Sequence, residues 1–254
     1  MDRLKDKVAI VTGSTSGIGK GIARMFAAEG ARVVVCGRRE ERGQAIVDEI
    51  ASAGGQAMYH FLDVTKPETV DALLADTEAA WGGIDVMVNN AAGMALKDGR
   101  VDELTLEDWD AVFASDIRST FYCTKTVLPF MQEQGAGSII NIGSMTSYQG
   151  GIKVIPYTAS KAAVRNITMH MCNEWAAPYG IHINCIAPGY MVTDMTAPMR
   201  SETSRMAETN TRIPMDRWGV PEDLAGAAIF LASDASDYVN GFTIAVDGGF
   251  LAKS

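Results

Sequence analysis

The chain has 254 residues, of which 47% are hydrophobic, and these values predict a folded protein with a sizeable core. Its formal net charge is -9, which argues against a nucleic-acid partner, because such a partner requires a basic face. The polar start leads straight into an apolar strand and no apolar run approaches membrane-spanning length, so a cytoplasmic protein without a membrane partner is expected.

Short β-branched runs alternate with longer amphipathic segments along the chain. The predicted strands are Val8–Val11, Arg32–Val35, Ala57–Leu62, Asp85–Val88, Ser138–Ile142, His182–Ile186 and Phe242–Val246. Most are apolar on both faces, as buried parallel strands are. The predicted helices include Ile18–Glu29, Glu41–Ala53, Pro67–Trp81 and Tyr157–Ala177. This alternation predicts an α/β protein with one domain over residues 1–254, a Rossmann fold whose doubly wound, seven-stranded parallel sheet carries helices on both faces.

The region 192–216 breaks this alternation. It is rich in Met, Thr and Arg and contains Pro198 and Pro214. Because it follows the sixth strand, we expect it to be an insertion that forms a lid over a substrate site.

The four cysteines do not form a recognisable site. No two of them make a Cys-x-x-Cys pair and no histidine lies beside them at ligand spacing, so neither a metal site nor a disulfide framework is expected. Buried, reduced thiols are predicted at Cys36, Cys123, Cys172 and Cys185.

The first strand runs into a glycine-rich turn, TGSTSGIG, and a predicted helix follows it. Such a turn places free backbone N–H groups and the positive end of a helix dipole at one point, which suits a pyrophosphate. Glycine permits the close approach of the ligand, although glycines also mark ordinary turns. The predicted phosphate-binding residues are Gly13, Ser14, Thr15, Ser16, Gly17, Ile18 and Gly19.

The second strand is followed by two arginines, Arg38 and Arg39, and positions 36–38 contain no Asp or Glu. An acidic residue there would bind the adenosine ribose hydroxyls and select NAD, whereas arginine pairs with a 2′-phosphate. The sequence therefore favours NADP(H), with NAD(H) as the alternative. A solvated arginine pair on the surface is the competing interpretation.

Three polar residues suggest acid–base chemistry. Tyr157 and Lys161 are four residues apart in a predicted helix and share one face of it. An ammonium group beside a phenol favours the phenolate, which proton transfer near neutral pH requires. Ser144 ends the fifth strand, where ligands of open α/β sheets bind, so its hydroxyl can reach a substrate carbonyl. The alternatives are an incidental Tyr–Lys pair and a serine that caps a turn.

Together these features resemble the short-chain dehydrogenase/reductase family along nearly the whole chain. The interval from Ser144 to Tyr157, 13 positions, is the one usual in that family. The matching motifs, in chain order, are Thr12–Gly19, Asp63-Val64, Asn89-Asn90-Ala91, Ser144, Tyr157-x-x-x-Lys161, Pro188-Gly189 and Val246-Asp247-Gly248-Gly249.

The resemblance implies a role for each matching residue. Tyr157 would transfer the proton of the substrate oxygen, Ser144 would hold that oxygen, and Lys161 would bind the nicotinamide ribose and favour the phenolate. The implied contacts with the rest of the cofactor are Asp63 and Val64 near the adenine, Asn90 near its ribose, and Pro188, Gly189 and Thr193 along the nicotinamide end. Ala91, which belongs to the same motif as Asn90, is also an implied cofactor-binding residue. No metal is needed, because the cofactor supplies the hydride.

Asp116 is the main departure from the family pattern, which has a catalytic Asn at this position. In the family this Asn is thought to act through its backbone carbonyl, which holds a water molecule on the proton path, and Asp keeps that carbonyl. Its carboxylate can also pair with Lys161. We expect Asp116 to remain part of the catalytic set, with activity retained and the pH optimum displaced.

The expected activity is the interconversion of an alcohol and a ketone with NADP(H), on a small polar substrate such as a sugar acid or a polyol. A 3-oxoacyl-carrier-protein reductase is an alternative, although Val127–Gly137 has no Lys or Arg to dock an acidic carrier. A non-catalytic dinucleotide sensor is the alternative of another class, supported only by Asp116.

The resemblance also implies a homotetramer, assembled through the C-terminal segment and two long helices near Trp109–Gln134 and Tyr157–Ala177. The residues that select the substrate are expected in Ala92–Gly99, Met145–Ile155 and Tyr190–Met215.

Overall fold

The computed structural model describes residues 2–93, 99–201 and 203–253, which build one seven-stranded parallel sheet. The strands are β1 Val8–Val11, β2 Arg32–Gly37, β3 Gln56–Phe61, β4 Val86–Asn89, β5 Gly137–Ile142, β6 Ile181–Pro188 and β7 Thr243–Val246. Their order in the sheet is β3-β2-β1-β4-β5-β6-β7. The predicted single Rossmann-type domain is confirmed.

The helices lie on both faces of this sheet. Their bounds are α1 Gly17–Ala28, α2 Glu40–Ser52, α3 Pro67–Trp81, α4 Leu106–Phe113, α5 Ser119–Gln134, α6 Ile155–Tyr179, α7 Ala197–Ser201, α8 Thr203–Thr211 and α9 Pro221–Ala232. One face packs against α1, α2 and α9, and the opposite face packs against α3, α5 and α6. Among the described residues, none of the helices combines the length and hydropathy that a bilayer span requires.

The central strands are buried on both sides, because successive side chains point to opposite helix layers. In β1, Ala9 and Val11 belong to the cluster that contains Phe26 of α1. The residue between them, Ile10, packs in the cluster that contains Leu73 of α3. All of these side chains are excluded from solvent, so a continuous apolar run is the pattern that a central parallel strand needs.

The order of the strands reverses between β1 and β4, which are neighbours in the sheet although β2 and β3 lie between them in the sequence. The connections on the two sides of this point leave in opposite directions and open a crevice beyond the carboxyl ends of the strands. The ligand crevice expected for this fold therefore lies at the carboxyl end of β1, where the glycine turn follows that strand.

Two long helices differ from the prediction. The segment near Trp109–Gln134 is not one regular helix, because five residues with π-helical hydrogen bonding, Ala114–Arg118, separate α4 from α5. The helix predicted from Tyr157 begins two residues earlier, at Ile155, with Pro156 in its first turn, where a missing N–H group costs nothing.

The predicted insertion at 192–216 contains the short helices α7 and α8. Backbone hydrogen bonds join the residues at the two ends of this insertion. The N–H of Val192 donates to the carbonyl of Gly219 at 2.8 Å, and the N–H of Gly219 donates to the carbonyl of Tyr190 at 2.9 Å. Of the segments expected to select the substrate, residues 94–98 and 202 lie outside the described residues.

Candidate active site

A large cleft of about 1290 Å³ opens beyond the carboxyl ends of β1, β2, β4, β5 and β6. This volume is above the range of roughly 300–1,000 Å³ that is typical for one small ligand, so the cleft has room for a dinucleotide beside a substrate. The predicted site residues that line it are Gly13, Thr15, Ser16, Gly17, Ile18, Arg38, Arg39, Asp63, Val64, Asn90, Ala91, Ser144, Tyr157, Lys161, Pro188, Gly189 and Thr193. Three predicted residues, Ser14, Gly19 and Asp116, do not line it.

The glycine turn brings the start of α1 to the floor of the cleft. Gly13 and Gly17 have φ of +65° and +54°, which residues with a Cβ rarely adopt. Ser16 is the N-cap residue of α1, but its side chain makes no capping hydrogen bond. The first-turn N–H groups of α1 therefore remain available to a phosphate, and the residues present fit a dinucleotide.

Ser14 and Gly19 support this turn from below. The Ser14 hydroxyl donates to the carbonyl of Val11 at 2.7 Å and accepts from the N–H of Cys36 at 2.9 Å, which joins the ends of β1 and β2. A Cβ on Gly19 would come within 2.5 Å of the Asn90 side chain. Both residues shape the turn without facing the cleft.

The loop after β4 is fixed to the glycine turn by Thr12, a residue whose role the sequence did not reveal. Its buried hydroxyl accepts from the N–H groups of Asn90 and Ala91, both at 2.9 Å, and donates to the carbonyl of Val88 at 3.1 Å. The Asn90 amide in turn donates to the Thr12 carbonyl at 2.8 Å. Asn90 thus has a bracing role in addition to its place in the cleft wall.

The two arginines after β2 lie at one end of the cleft in different environments. Arg39 is held in place, because its Nη2 donates to the hydroxyls of Ser16 at 2.7 Å and Thr15 at 3.3 Å. Arg38 makes no hydrogen bond with another residue that the structure describes, but its charge acts on Asp63. This end of the cleft therefore presents positive charge beside the α1 N-terminus.

Asp63 is charged at this end of the cleft. Partial burial on its own would raise the pKa of its carboxyl group. Hydrogen bonds from the hydroxyl and N–H of Thr65, at 2.8 and 3.1 Å, together with the charges of Arg38 and Lys66, hold that pKa below its ordinary value. The carboxylate can accept hydrogen bonds from a ligand at neutral pH.

Ser144, Tyr157 and Lys161 all line the cleft. Ser144 follows β5, and its hydroxyl accepts from the N–H of Thr146 at 3.1 Å, so it caps a turn as well as facing the cleft. The ammonium group of Lys161 lies 5.6 Å from the centre of the Tyr157 ring and donates to the carbonyl of Ile142 at 3.0 Å. The β5 strand end thus orients the lysine toward the phenol.

Ser147 links the two elements that carry these side chains, and no motif pointed to it. Its hydroxyl accepts from the N–H of Ser144 at 3.3 Å and donates to the carbonyl of Lys161 at 2.7 Å. The end of β5 and the start of α6 are therefore fastened to each other directly behind the cleft.

Asp116 lies behind Lys161, inside the protein. Its Oδ2 is 3.8 Å from the Lys161 Nζ and accepts from the Ser160 hydroxyl at 2.9 Å. Its Oδ1 accepts from the N–H of Gly93 at 2.9 Å and the hydroxyl of Ser115 at 3.1 Å. The π-helical segment that contains Asp116 thus connects the loop after β4 to α6.

The far wall of the cleft comes from β6 and the insertion. Gly189 packs so closely on the C-terminal segment that a Cβ would lie 2.6 Å from the Asp247 Cα. Thr193 faces the glycine turn, because a Cβ added to Gly17 would lie 3.4 Å from the Thr193 Cγ2. Asp194, the next residue, pairs with Arg42 of α2 at 3.1 Å. The start of the insertion therefore reaches across the cleft to the opposite side.

Known proteins are similar to this chain along nearly its whole length. A family described as enoyl-(acyl carrier protein) reductase matches residues 13–251. The 2-dehydro-3-deoxy-D-gluconate 5-dehydrogenase of Escherichia coli (strain K12) is 43% identical over 98% of this chain and 97% of its own. A crystal structure of a gluconate 5-dehydrogenase from Burkholderia cenocepacia J2315, in complex with NADP and tartrate, is 37% identical, with a TM-score of 0.94 over 100% of this chain and 99% of the other.

A 3-oxoacyl-[acyl-carrier-protein] reductase of Thermotoga maritima is also similar, with 36% identity over 98% of this chain and 99% of its own. The predicted enzyme class, an NAD(P)-dependent alcohol dehydrogenase or ketoreductase, is confirmed by these relatives. The chain belongs to the short-chain dehydrogenase/reductase family.

Proposed function

We propose that the protein interconverts a secondary alcohol and a ketone on a small sugar acid, with NADP(H) as the redox partner. The observation that best supports this proposal is that Ser144, Tyr157 and Lys161 line the same cleft as the glycine turn. In the oxidising direction the alcohol loses a hydride and a proton, which gives the ketone, NADPH and H⁺. A bound nicotinamide supplies the hydride acceptor or donor.

The protein's own residues handle the proton and the orientation of the substrate. Tyr157 takes the hydroxyl proton in oxidation and returns it in reduction. Ser144 donates a hydrogen bond to the substrate oxygen, which fixes that oxygen beside the phenol. Lys161, held by the Ile142 carbonyl, stabilises the phenolate by its charge and is available to a ribose hydroxyl. Asp116 acts on this set through the charge of Lys161.

The positive end of the cleft supports NADP(H). The glycine turn and the α1 N-terminus would hold the pyrophosphate, and Arg38 and Arg39 would hold the 2′-phosphate. Asp63 would contact the adenine of the cofactor. The NADP in the Burkholderia structure favours the same cofactor here.

Two observations favour a sugar acid over an acyl thioester as the substrate: the sequence identities to the relatives and the charge of the surface that a carrier protein would contact. The sugar-acid dehydrogenase of Escherichia coli is more similar to this chain than the carrier-protein reductase of Thermotoga maritima, at 43% against 36% identity. Carrier proteins are acidic, and Val127–Gly137 offers them an acidic Glu133 and no basic residue.

The residues of the insertion are proposed to form a lid over this substrate. Residues from both of its halves line the cleft, including Thr193 and Arg212.

We also propose a homotetramer in the cytoplasm. The tetramer is supported by two exposed apolar side chains, Phe121 on α5 and Phe242 just before β7, which lie on or near the segments expected to contact other subunits. The cytoplasm is supported by the four free cysteines, because free thiols suit a reducing compartment.

The test is nicotinamide absorbance in both directions, with NADP(H) and NAD(H), over sugar acids, polyols, cyclic ketones and acyl thioesters. Turnover of a sugar acid that Tyr157→Phe abolishes is the expected result. Turnover of thioesters alone would favour the carrier-protein reductase. Cofactor binding without turnover of any compound would favour the non-catalytic sensor and would refute the proposal.

A further inference from the structure

Among the residues that the structure describes, five basic ones line the cleft, and two of them have no place in the chemistry described above. Arg38 and Arg39 lie at the cofactor end and Lys161 serves Tyr157, which leaves Lys153 and Arg212. A sugar acid carries a carboxylate that a polyol lacks. A protein with a net charge of -9 needs a local cation to attract and hold that group.

Arg212 belongs to the substrate end of the cleft. It directly follows α8, and the next residue, Ile213, shares a buried cluster with Met145 and Phe250. Met145 is the neighbour of Ser144 in the sequence, so this cluster connects the arginine to the catalytic serine. Tyr190, which also lines the cleft, has its ring 5.5 Å from that of Phe250.

The guanidinium group of Arg212 packs on an aromatic ring, and no described acidic side chain pairs with its charge. Its Cζ lies 4.4 Å from the centre of the Phe250 ring, and the buried aromatic ring restricts the plane of the group. Arg212 forms no ion pair with any other residue in the described ranges. Glu208, one turn earlier, also lines the cleft but is not paired with it. A planar, pre-oriented fork of N–H donors is suited to a carboxylate.

We propose that Arg212 binds the carboxylate of the sugar-acid substrate and is the residue that selects acids over neutral polyols. This inference rests on the proposed function. Lys153 is a less suitable candidate, because its exposed side chain comes from a loop and offers a single point charge without an aromatic support. Glu208 faces the same space and can accept hydrogen bonds from the substrate hydroxyls.

The experiment compares wild type, Arg212→Gln, Arg212→Lys and Lys153→Gln in steady-state oxidation with NADP⁺. The substrates are D-gluconate and D-gluconamide, which differ only in the charged end. For Arg212→Gln we expect the kcat/KM ratio of acid to amide to fall about 10- to 100-fold, mainly through KM, because the carboxylate is remote from the reacting carbon. Lys153→Gln removes the same charge from the rim and is expected to lower the ratio less than about threefold.

Arg212→Lys retains the charge but not the two parallel donors, and its ratio should lie between those of wild type and Arg212→Gln. NADPH affinity, measured by fluorescence, should be equal in all four proteins and shows that the variants are folded. A wild-type preference for the acid that persists in Arg212→Gln overturns this inference alone. A wild-type enzyme that shows no preference for the acid overturns the proposed substrate class and this inference together.

Discussion

The carboxylate of Asp116 lies 3.8 Å from the ammonium group of Lys161, and the two side chains are 0% and 4% exposed. Buried charges are tolerated only when they are paired and hydrogen-bonded, and Asp116 accepts three hydrogen bonds in addition to this contact. The anion offsets part of the positive charge that stabilises the Tyr157 phenolate. Asp116 is therefore placed to adjust the proton transfer without touching the substrate.

We expect Asp116→Asn to keep activity and to move the pH–rate profile of alcohol oxidation. The amide removes the negative charge, so the full charge of Lys161 acts on the phenolate, and the acidic limb of kcat/KM should move to lower pH. The measurement is kcat/KM for oxidation from pH 5 to 10. Ser160→Ala, which removes a hydrogen bond to Asp116 but no charge, is the control and should leave the profile in place. An unchanged profile in Asp116→Asn would show that the two charges are not coupled to the reaction.

We predict that Arg38→Gln selectively weakens NADP(H). Arg39 is already engaged by Ser16 and Thr15, whereas Arg38 makes no hydrogen bond within the described parts of the chain and is free to pair with a 2′-phosphate. Loss of one charge-assisted contact should raise the KM for NADP⁺ about 10- to 100-fold and change the KM for NAD⁺ less than about threefold.

Arg42→Gln is the matched control, because Arg42 carries the same charge on the neighbouring helix α2 but pairs with Asp194 and does not line the cleft. Its effect on the KM for NADP⁺ should be small. Equal losses for NADP⁺ and NAD⁺ in Arg38→Gln would refute a role of Arg38 in reading the 2′-phosphate.

The strands and the glycine turn were predictable because their signals are local. A run such as Val8–Val11 is apolar on both faces wherever it occurs in the chain, and its burial follows from that composition. The extra residue of a π-helical turn leaves no such signal, so the segment around Asp116 was expected to continue an ordinary helix. The contact of Arg212 with Phe250 joins residues from distant parts of the sequence, and only the folded chain reveals it.

The ion pair between Arg217 and Asp223 predicts a pH-dependent contribution to stability at the end of the insertion. Asp223 accepts two hydrogen bonds from Arg217, at 2.7 and 2.9 Å, and one from the N–H of Val220 at 2.8 Å. The Arg217 hydrogen bonds, and then that N–H, lower the pKa of Asp223 from 3.8 to about 2. Because the folded state favours the ionised form, the stabilisation is complete above about pH 4 and is lost as the pH falls through about 2.

Asp223→Asn should therefore lower the free energy of unfolding by about 1 kcal/mol at pH 7, the upper end for partly exposed pairs, and by progressively less between pH 4 and pH 2. Urea unfolding at pH 7, 4 and 3 measures the difference. Asp237→Asn removes an equal charge from an exposed position and should have little effect at any of these values. If the loss of unfolding free energy caused by Asp223→Asn does not become smaller on acidification, the proposed pH-dependent contribution of the Arg217–Asp223 ion pair is contradicted.

The four thiols should differ in reactivity according to their burial. Cys36, Cys123 and Cys185 are buried, and burial raises the pKa of Cys123 to about 12 and that of Cys185 to about 11. Cys172 on α6 is partly exposed, and burial raises its pKa less. Because the thiolate is the reactive form, Ellman's reagent at pH 8 should titrate one thiol in the native protein and four after denaturation.

Cys172→Ser identifies the reactive group, since the native variant should then release almost no colour while the denatured variant still shows three thiols. Modification of Cys172 should also leave NADPH binding intact, because this residue does not line the cleft. Cys36 is the informative exception. Its N–H is bound to the Ser14 hydroxyl beneath the glycine turn, so reagent that reaches Cys36 must first separate β2 from that turn and should abolish NADPH binding at the same rate. Rapid native labelling of two or more thiols would mean that this part of the sheet opens far more readily than its burial indicates.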